Sequence, residues 1–207
     1  MPKPTFFRLP EEKRRRLMDA AWEEFTQVDF AEASINRIIR SAHIPRGSFY
    51  QYFENKSDLF FHMLDELLEE GAAFALGLLR DTGGDVFQIP LLAFDELIEA
   101  DGNAVPRLGQ AIRLLQLNQG LDLLRVLTPT CREPSPLLAA VDRTGFRRGD
   151  DGFAVSIVTL LLSGFICSIM NILRGVSSYD ESRHALEEQT EIIRLGALSA
   201  PEKGAGV

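Results

Sequence analysis

Residues that carry chemistry are scarce in this chain. Its 207 residues include two cysteines and three histidines. Cys131 and Cys167 have no Cys or His nearby in sequence, and His43, His62 and His184 fall in no metal-ligand or nucleophile motif. No glycine-rich loop follows a strand pattern, so a phosphate cradle of the nucleotide-binding kind is missing. An enzymatic reading has nothing to stand on; no catalytic residue, metal site or cofactor is expected. Low-complexity segments and internal repeats are absent too. The N-terminal cations Lys3, Arg8 and Lys13 to Arg16 are not followed by an apolar stretch that would make a signal peptide. Unpaired cysteines suit a reducing compartment, and a cytoplasmic location is expected.

What is present is apolar residues in a helical rhythm. Hydrophobic residues make up 45% of the chain, enough for a true core. Strand-like alternation is not found, and the expected fold is all-α. Beyond Phe60 the pattern predicts helices near 56–80, 86–100, 105–127, 135–146, 151–174 and 180–198. Breaks fall at Thr82-Gly83-Gly84, Asp101-Gly102-Asn103, Pro129, Pro134 to Pro136, Gly149 to Gly152, and Gly175 to Ser178. The formal charge of −8 is unevenly spread: residues 1–56 carry +2 and the remainder −10. A basic balance confined to one end marks that end as the one to meet phosphate, and Lys13 to Arg16 either join that contact or form a solvated face.

The segment Ser34 to Leu59 is the most informative. Ser34 is a good N-cap for a helix with Ile35, Ile38 and Ile39 on one face, ending near Ala42. His43 tolerates a left-handed backbone, Ile44 points into a core, and Pro45 suits the first turn of a second helix. Two helices joined this tightly form a helix-turn-helix. In the second, Phe49 and Phe53 lie four apart on a packing face, which leaves Arg46, Ser48, Tyr50, Gln51 and Tyr52 opposite. Arg and Gln match guanine and adenine edges, Ser and Tyr hydroxyls match phosphate oxygens, and Gly47 lets backbones approach. Asn55 caps a third helix with Asp58 three residues on, and Lys56 beside that helix start adds a point charge where phosphate is already favoured.

This stretch resembles the DNA-binding domain of the tetracycline-repressor (TetR) family. The resemblance rests on Ser34, Ile38, Ala42, Ile44, Gly47, Ser48, Tyr50, Tyr52, Phe53, Lys56 and Leu59. A preceding helix with Leu17, Ala21 and Phe25 spaced by four, and Ala20, Trp22 and Val28 around them, fits as well. Two positions depart from the family's pattern: His43 stands where Gly is usual, and Pro45 where a small N-cap residue is common. The resemblance implies a three-helix DNA-binding domain over 1–56 and a larger helical ligand-binding and dimerisation domain over 57–207. DNA contacts are then expected from Ser34, Arg46, Gly47, Ser48, Tyr50, Gln51, Tyr52 and Lys56.

The C-terminal part reads as the place of assembly. Gly152 to Leu173 carries no charge, but Ser156, Thr159, Ser163, Ser168 and Asn171 interrupt it and no aromatic belt flanks it, which argues against a membrane span. Ser163, Gly164, Cys167 and Ser168 form a small-residue stripe that lets another helix come close. The segment after it is amphipathic, with Leu186, Ile193 and Leu195. The resemblance implies a homodimer through the helices near 151–174 and 180–198, and a pocket for an unidentified small-molecule effector. Phe74, Phe87, Phe94, Leu115 and Phe165 would suit such a pocket, with Gln116, Asn118 or Asn171 polar, although aromatics at this spacing equally make ordinary core. The function expected is a ligand-responsive homodimeric repressor of a palindromic operator. The alternative is a helical protein-interaction module whose helix-turn-helix binds no DNA.

Overall fold

A computed structural model of the chain describes residues 1–99, 108–118 and 135–199. Among these residues the architecture is all-helical, with one isolated antiparallel bridge between Phe146 and Leu198. The helices are α1 (Pro4–Phe7), α2 (Glu11–Gln27), α3 (Ile35–Ser41), α4 (Arg46–Tyr52), α5 (Lys56–Asp81), α6 (Ile89–Glu99), α7 (Leu108–Leu117), α8 (Pro136–Ala140), α9 (Asp151–Leu173) and α10 (Tyr179–Ala197). Two compact units form, Met1–Gly71 with Val105–Leu121, and Ala72–Ala104 with Asp122–Val207.

In the first unit the four-residue spacing on α2 does what it predicts. Leu17, Ala21, Trp22 and Phe25 are fully buried, and Ile38, Phe49, Phe53, Leu59 and Met63 close the same core from α3, α4 and α5. Full burial of each such large apolar side chain contributes about 1.5–3 kcal/mol. Helix α7 packs against α2 within this unit, so a segment distant in sequence is built into the N-terminal core. Cys131, Pro129, the Asp101-Gly102-Asn103 break and the outer parts of the expected 105–127 helix lie outside the described residues.

Helix α3 is anchored by an ion pair that the apolar pattern does not announce. Glu24 on α2 is only 8% exposed. Its carboxylate accepts Arg37 Nε at 2.8 and 2.9 Å and the backbone N–H of Ser34 at 2.7 Å. Burial pushes the Glu24 carboxyl up, but the Arg37 and Ser34 hydrogen bonds outweigh it and hold the group below the usual carboxylate range.

The second unit is organised by α9 and α10. Asp150 caps α9 by accepting the N–H of Phe153 at 3.0 Å, and Ser178 with Glu181 forms a complete capping box on α10. Ile157, Val158 and Leu161 of α9 join Leu79, Val86, Phe87, Leu138, Val141 and Ala197 in one core. Gly164 shows where the small-residue stripe acts: a Cβ there would stand 2.8 Å from Gln189 Oε1 and 3.6 Å from Leu186 Cδ1 of α10. The close approach it permits is thus to a helix of the same chain. α9 is long and apolar enough to cross a membrane, with about a third of its apolar window buried, and Leu160, Ile192 and Leu195 stay 55, 69 and 65% exposed on the two helices.

The expected helix over 135–146 stops instead at Ala140. Asp142 ends it: its N–H donates to Gly84 O at 2.9 Å and its carboxylate accepts the N–H of Thr144 at 2.8 Å, a local turn that competes with the helix. Gly84, at φ 92°, must lack a side chain here, because a Cβ would meet Asp142 N at 2.8 Å. The chain that follows caps the end of α10, with Arg147 N donating to Ala197 O at 2.9 Å and Arg147 Nε to Leu198 O at 2.7 Å.

The depressed Glu24 carboxyl gives a pH prediction. Its contribution is fully present above the unfolded value near 4.5 and is lost as pH falls through the lower folded value. In circular dichroism melts across the acid range, wild type should melt above Glu24→Gln at neutral pH, and the gap should close below that value. A gap that stays constant with pH would show that the pair is not linked to folding.

Candidate nucleic-acid interface

The reading unit is built around α3, α4 and the turn between them. Ser34 occupies the N-cap of α3 as expected, but its side chain makes no cap hydrogen bond; its backbone N–H is taken by Glu24 instead. His43 adopts the left-handed conformation that the turn needs, at φ 55°, and its Nδ1 lies 2.8 Å from Ser41 O. Ile44 is buried beneath the turn. Pro45 falls one residue earlier than predicted, at the N-cap of α4 rather than in its first turn, with an extended ψ of 140°.

Phe49 and Phe53 are fully buried, with ring centroids 5.8 Å apart. The opposite side carries Arg46, Gly47, Tyr50 and Gln51 exposed and Ser48 half-buried. Tyr50 is 43% exposed, and its ring meets the edge of Phe49 at 5.4 Å. Tyr52 corrects the predicted face: it is 8% exposed and belongs with the core. Residues 49, 52 and 53 share one side at helical spacing, and an apolar ring with two neighbours buried on either flank follows them inward.

Gly47 is informative for what it does not touch. A Cβ at this position would meet nothing within 4 Å. Packing among the described residues therefore gives no reason for a residue that costs a helix up to about 1 kcal/mol relative to Ala.

Lys56 is placed differently from the expectation of a free point charge. Its Nζ donates to Ala31 O at 3.0 Å and Ala33 O at 2.8 Å and stands 4.7 Å over the Phe30 ring. The same loop is also held by Asn118, just past the end of α7, which accepts the N–H of Phe30 at 2.9 Å. Asn118 Nδ2 meanwhile donates to Leu114 O at 2.8 Å. The predicted third cap is present, with Asp58 N donating to Asn55 Oδ1 at 2.9 Å and Asp58 Oδ2 accepting Glu54 N at 3.2 Å. The cation run divides as well, with Lys13, Arg15 and Arg16 exposed and Arg14 half-buried.

Two features escape the sequence pattern. An N-terminal segment around α1 lies against the end of α4, where Lys3 N donates to Tyr52 O at 2.8 Å and Lys3 Nζ to Tyr50 O at 2.8 Å. In the second unit, Arg183 grips Asp95 with two hydrogen bonds of 2.8 and 2.9 Å, and Tyr179 OH adds a third at 2.7 Å. Burial raises the Asp95 carboxyl, and the Arg183 and Tyr179 hydrogen bonds overcome this and lower it. A basic residue in an otherwise acidic amphipathic helix was the available signal for the second; for the first there was none.

The residues named as possible pocket lining are divided between the two units. Gln116 and Asn118 belong to the first unit, while Phe74, Phe87, Phe94, Phe165 and Asn171 belong to the second. Phe94 is fully buried and stacked on Tyr179 at 5.5 Å, and Phe87 meets Phe146 at 6.0 Å. The side chain of Leu115 lies outside the described residues. Among the described residues no group of three or more His, Cys, Asp or Glu could hold a metal ion.

Comparison with known proteins places this geometry. Residues 17–63 match the family model for bacterial regulatory proteins of the tetR family. The transcriptional regulator AcuR of Cereibacter sphaeroides is 31% identical over 75 residues, covering 31% of this chain and 34% of that protein. A helix-turn-helix transcriptional repressor of Mycobacterium tuberculosis is 30% identical over 74 residues, covering 33% of this chain and 40% of that protein. The match thus spans 34% and 40% of the length of these two curated relatives. Likeness in fold extends further: the solved structure of a TetR transcriptional regulator from Rhodococcus sp. RHA1 covers 91% of this chain and 99% of its own, with a TM-score of 0.53 at 17% identity.

The Lys56 contacts are testable by stability alone. Lys56→Met keeps the stem and removes the ammonium, which should cost on the order of 1–2 kcal/mol and lower the melting temperature by about 3–6 °C. Hydrogen exchange should accelerate in residues 28–34. Exchange there at the wild-type rate would mean that Lys56 does not hold the loop.

Proposed function

We infer, for a chain that belongs to the TetR family of bacterial regulatory proteins, a cytoplasmic DNA-binding transcriptional repressor that works as a homodimer and answers to a small-molecule effector. The observation that carries the reading is the uncovered face of α4. It presents a guanidinium, a hydroxyl, a phenol and an amide around a glycine that no packing among the described residues requires. Arg46, Ser48 and Gln51 are the groups for base edges, Tyr50 the group for phosphate, and Gly47 the point where backbone meets backbone. Ser34, Tyr52 and Lys56 serve the same contact by holding α3, α4 and the loop before them in place.

Residues 1–56 are the reading part in this proposal and 57–207 the part that senses and pairs. The exposed Leu160, Ile192 and Leu195 on α9 and α10 are what a second copy would cover. Two-fold pairing would set two copies of α4 against half-sites about one helical turn apart, or a multiple of that. Effector binding lowers DNA affinity only if the effector prefers the conformation that does not fit the operator. The regulatory names of the relatives support this assignment over an unpartnered helical interaction module, which would retain the fold and bind no duplex.

The test is selection of duplexes from a random library by the full chain, followed by anisotropy titrations. Enrichment of a palindromic motif is expected, and no enrichment over a bead control would sink the reading in favour of an interaction module. Gly47→Ala should separate stability from function, raising the melting temperature slightly while weakening the selected duplex by about tenfold or more, the equivalent of ~1.4 kcal/mol. Gln51→Ala should shift the selected motif rather than abolish binding. Light scattering should report a dimer for wild type and a monomer for Leu160→Glu/Ile192→Glu; a variant that remains dimeric would place the pairing surface elsewhere.

A further inference from the structure

The last carbonyls of a helix have no intrahelical partner, and α4 is only seven residues long. All three of its final carbonyls are claimed by one segment near the N-terminus. Lys3 Nζ donates to Tyr50 O at 2.8 Å, Thr5 Oγ1 to Gln51 O, and Lys3 N to Tyr52 O at 2.8 Å. Phe6 anchors the segment: it is 1% exposed, with its ring centroid 4.9 Å from Phe53 and 5.0 Å from His62. The His62 ring has its Nε2 3.5 Å from Glu66 Oε1, and burial lowers its basicity. None of Lys3, Thr5 or Phe6 falls within residues 17–63, the stretch matched to the family.

We propose that Lys3, Thr5 and Phe6 form a strap of positioning residues that fixes the pitch of α4 and thereby sets how well this chain distinguishes its own duplex from other DNA. The proposal rests on the reading of α4 as the DNA-reading helix. Lys3 and Thr5 grip the backbone of α4, so the strap acts on the whole helix at once: without it the helix frays from Phe53 backward and Tyr50 and Gln51 lose their direction. One of its hydrogen bonds turns the Lys3 ammonium onto Tyr50 O, which distinguishes it from a cation held out for phosphate.

Thr5→Val removes one hydroxyl at constant shape, and Phe6→Ala empties the anchor; both are made in the full chain. Hydrogen exchange reads the strap without DNA: amides of residues 46–53 should exchange at least about tenfold faster in either variant, with α9 unchanged. Anisotropy then compares the duplex selected by wild type with a scrambled duplex of equal length. The expected result is a loss of about tenfold or more on the selected duplex, an unchanged affinity for the scrambled one, and an unchanged salt slope. Phe6→Leu, which refills the anchor, should recover most of the loss. Wild-type affinity for both duplexes in both variants would overturn the proposal. So would an equal loss on both duplexes with a lowered main melting transition, the mark of a merely structural role. A salt slope reduced by about one in Lys3→Met would overturn the assignment of Lys3 and make it a phosphate contact. If wild type selects no duplex, the DNA reading fails, and the exchange rates over 46–53 still decide whether the strap holds α4.

Discussion

A helix of seven residues does not persist alone in water, and everything proposed for α4 depends on what holds it. Phe49 and Phe53 supply the main grip from beneath, in a core whose other walls are Trp22, Phe25 and Ile38. Those residues determine that α4 exists. Its direction is a separate matter, decided by polar contacts at its ends: His43 in a left-handed turn before it, and the N-terminal segment on its last carbonyls. The helix is thus made by burial and aimed by hydrogen bonds.

Three cations of the first unit are spent internally. Arg37 is bound to Glu24 and to Glu32 O, Lys56 to two carbonyls and a phenylalanine face, and Lys3 to α4. Each of these would count as a phosphate ligand in a census of charge. In the fold each donates to carbonyls at a loop or helix end, and satisfying such groups is the stricter demand on a small domain. In the second unit Asp95 and Arg183 play the same part for α6 and α10.

The helical fold, the two-helix turn and the termini of α5, α9 and α10 were legible in sequence because they follow from local rules of periodicity and capping. Phe49 and Phe53 were legible for the same reason. Tyr52 was not, because a phenol satisfies both a polar and a buried position and its neighbours in space decide between them. Lys56 was misplaced for a related reason: its partners Ala31 and Ala33 offer only backbone, which has no sequence signature. The early end of α8 followed from Asp142 meeting Gly84, 58 residues apart, a pairing that no local window contains. Among the candidate site residues, exposure of Arg46, Gly47, Tyr50 and Gln51 matches the pattern, whereas the segment that aims them lies outside it.

The inward commitment of Lys3, Arg37 and Lys56 also bears on how a chain of this kind would search a genome. Sliding along random duplex is sustained by loosely held cations that exchange with the counterion cloud. A head with three of its ten cations committed in this way and a net charge of only +2, on a chain of charge −8, would dwell only briefly on each stretch it meets. It would sample DNA by short separate visits, and its occupancy of a target would vary less with the ionic strength of the cell than that of a strongly basic regulator.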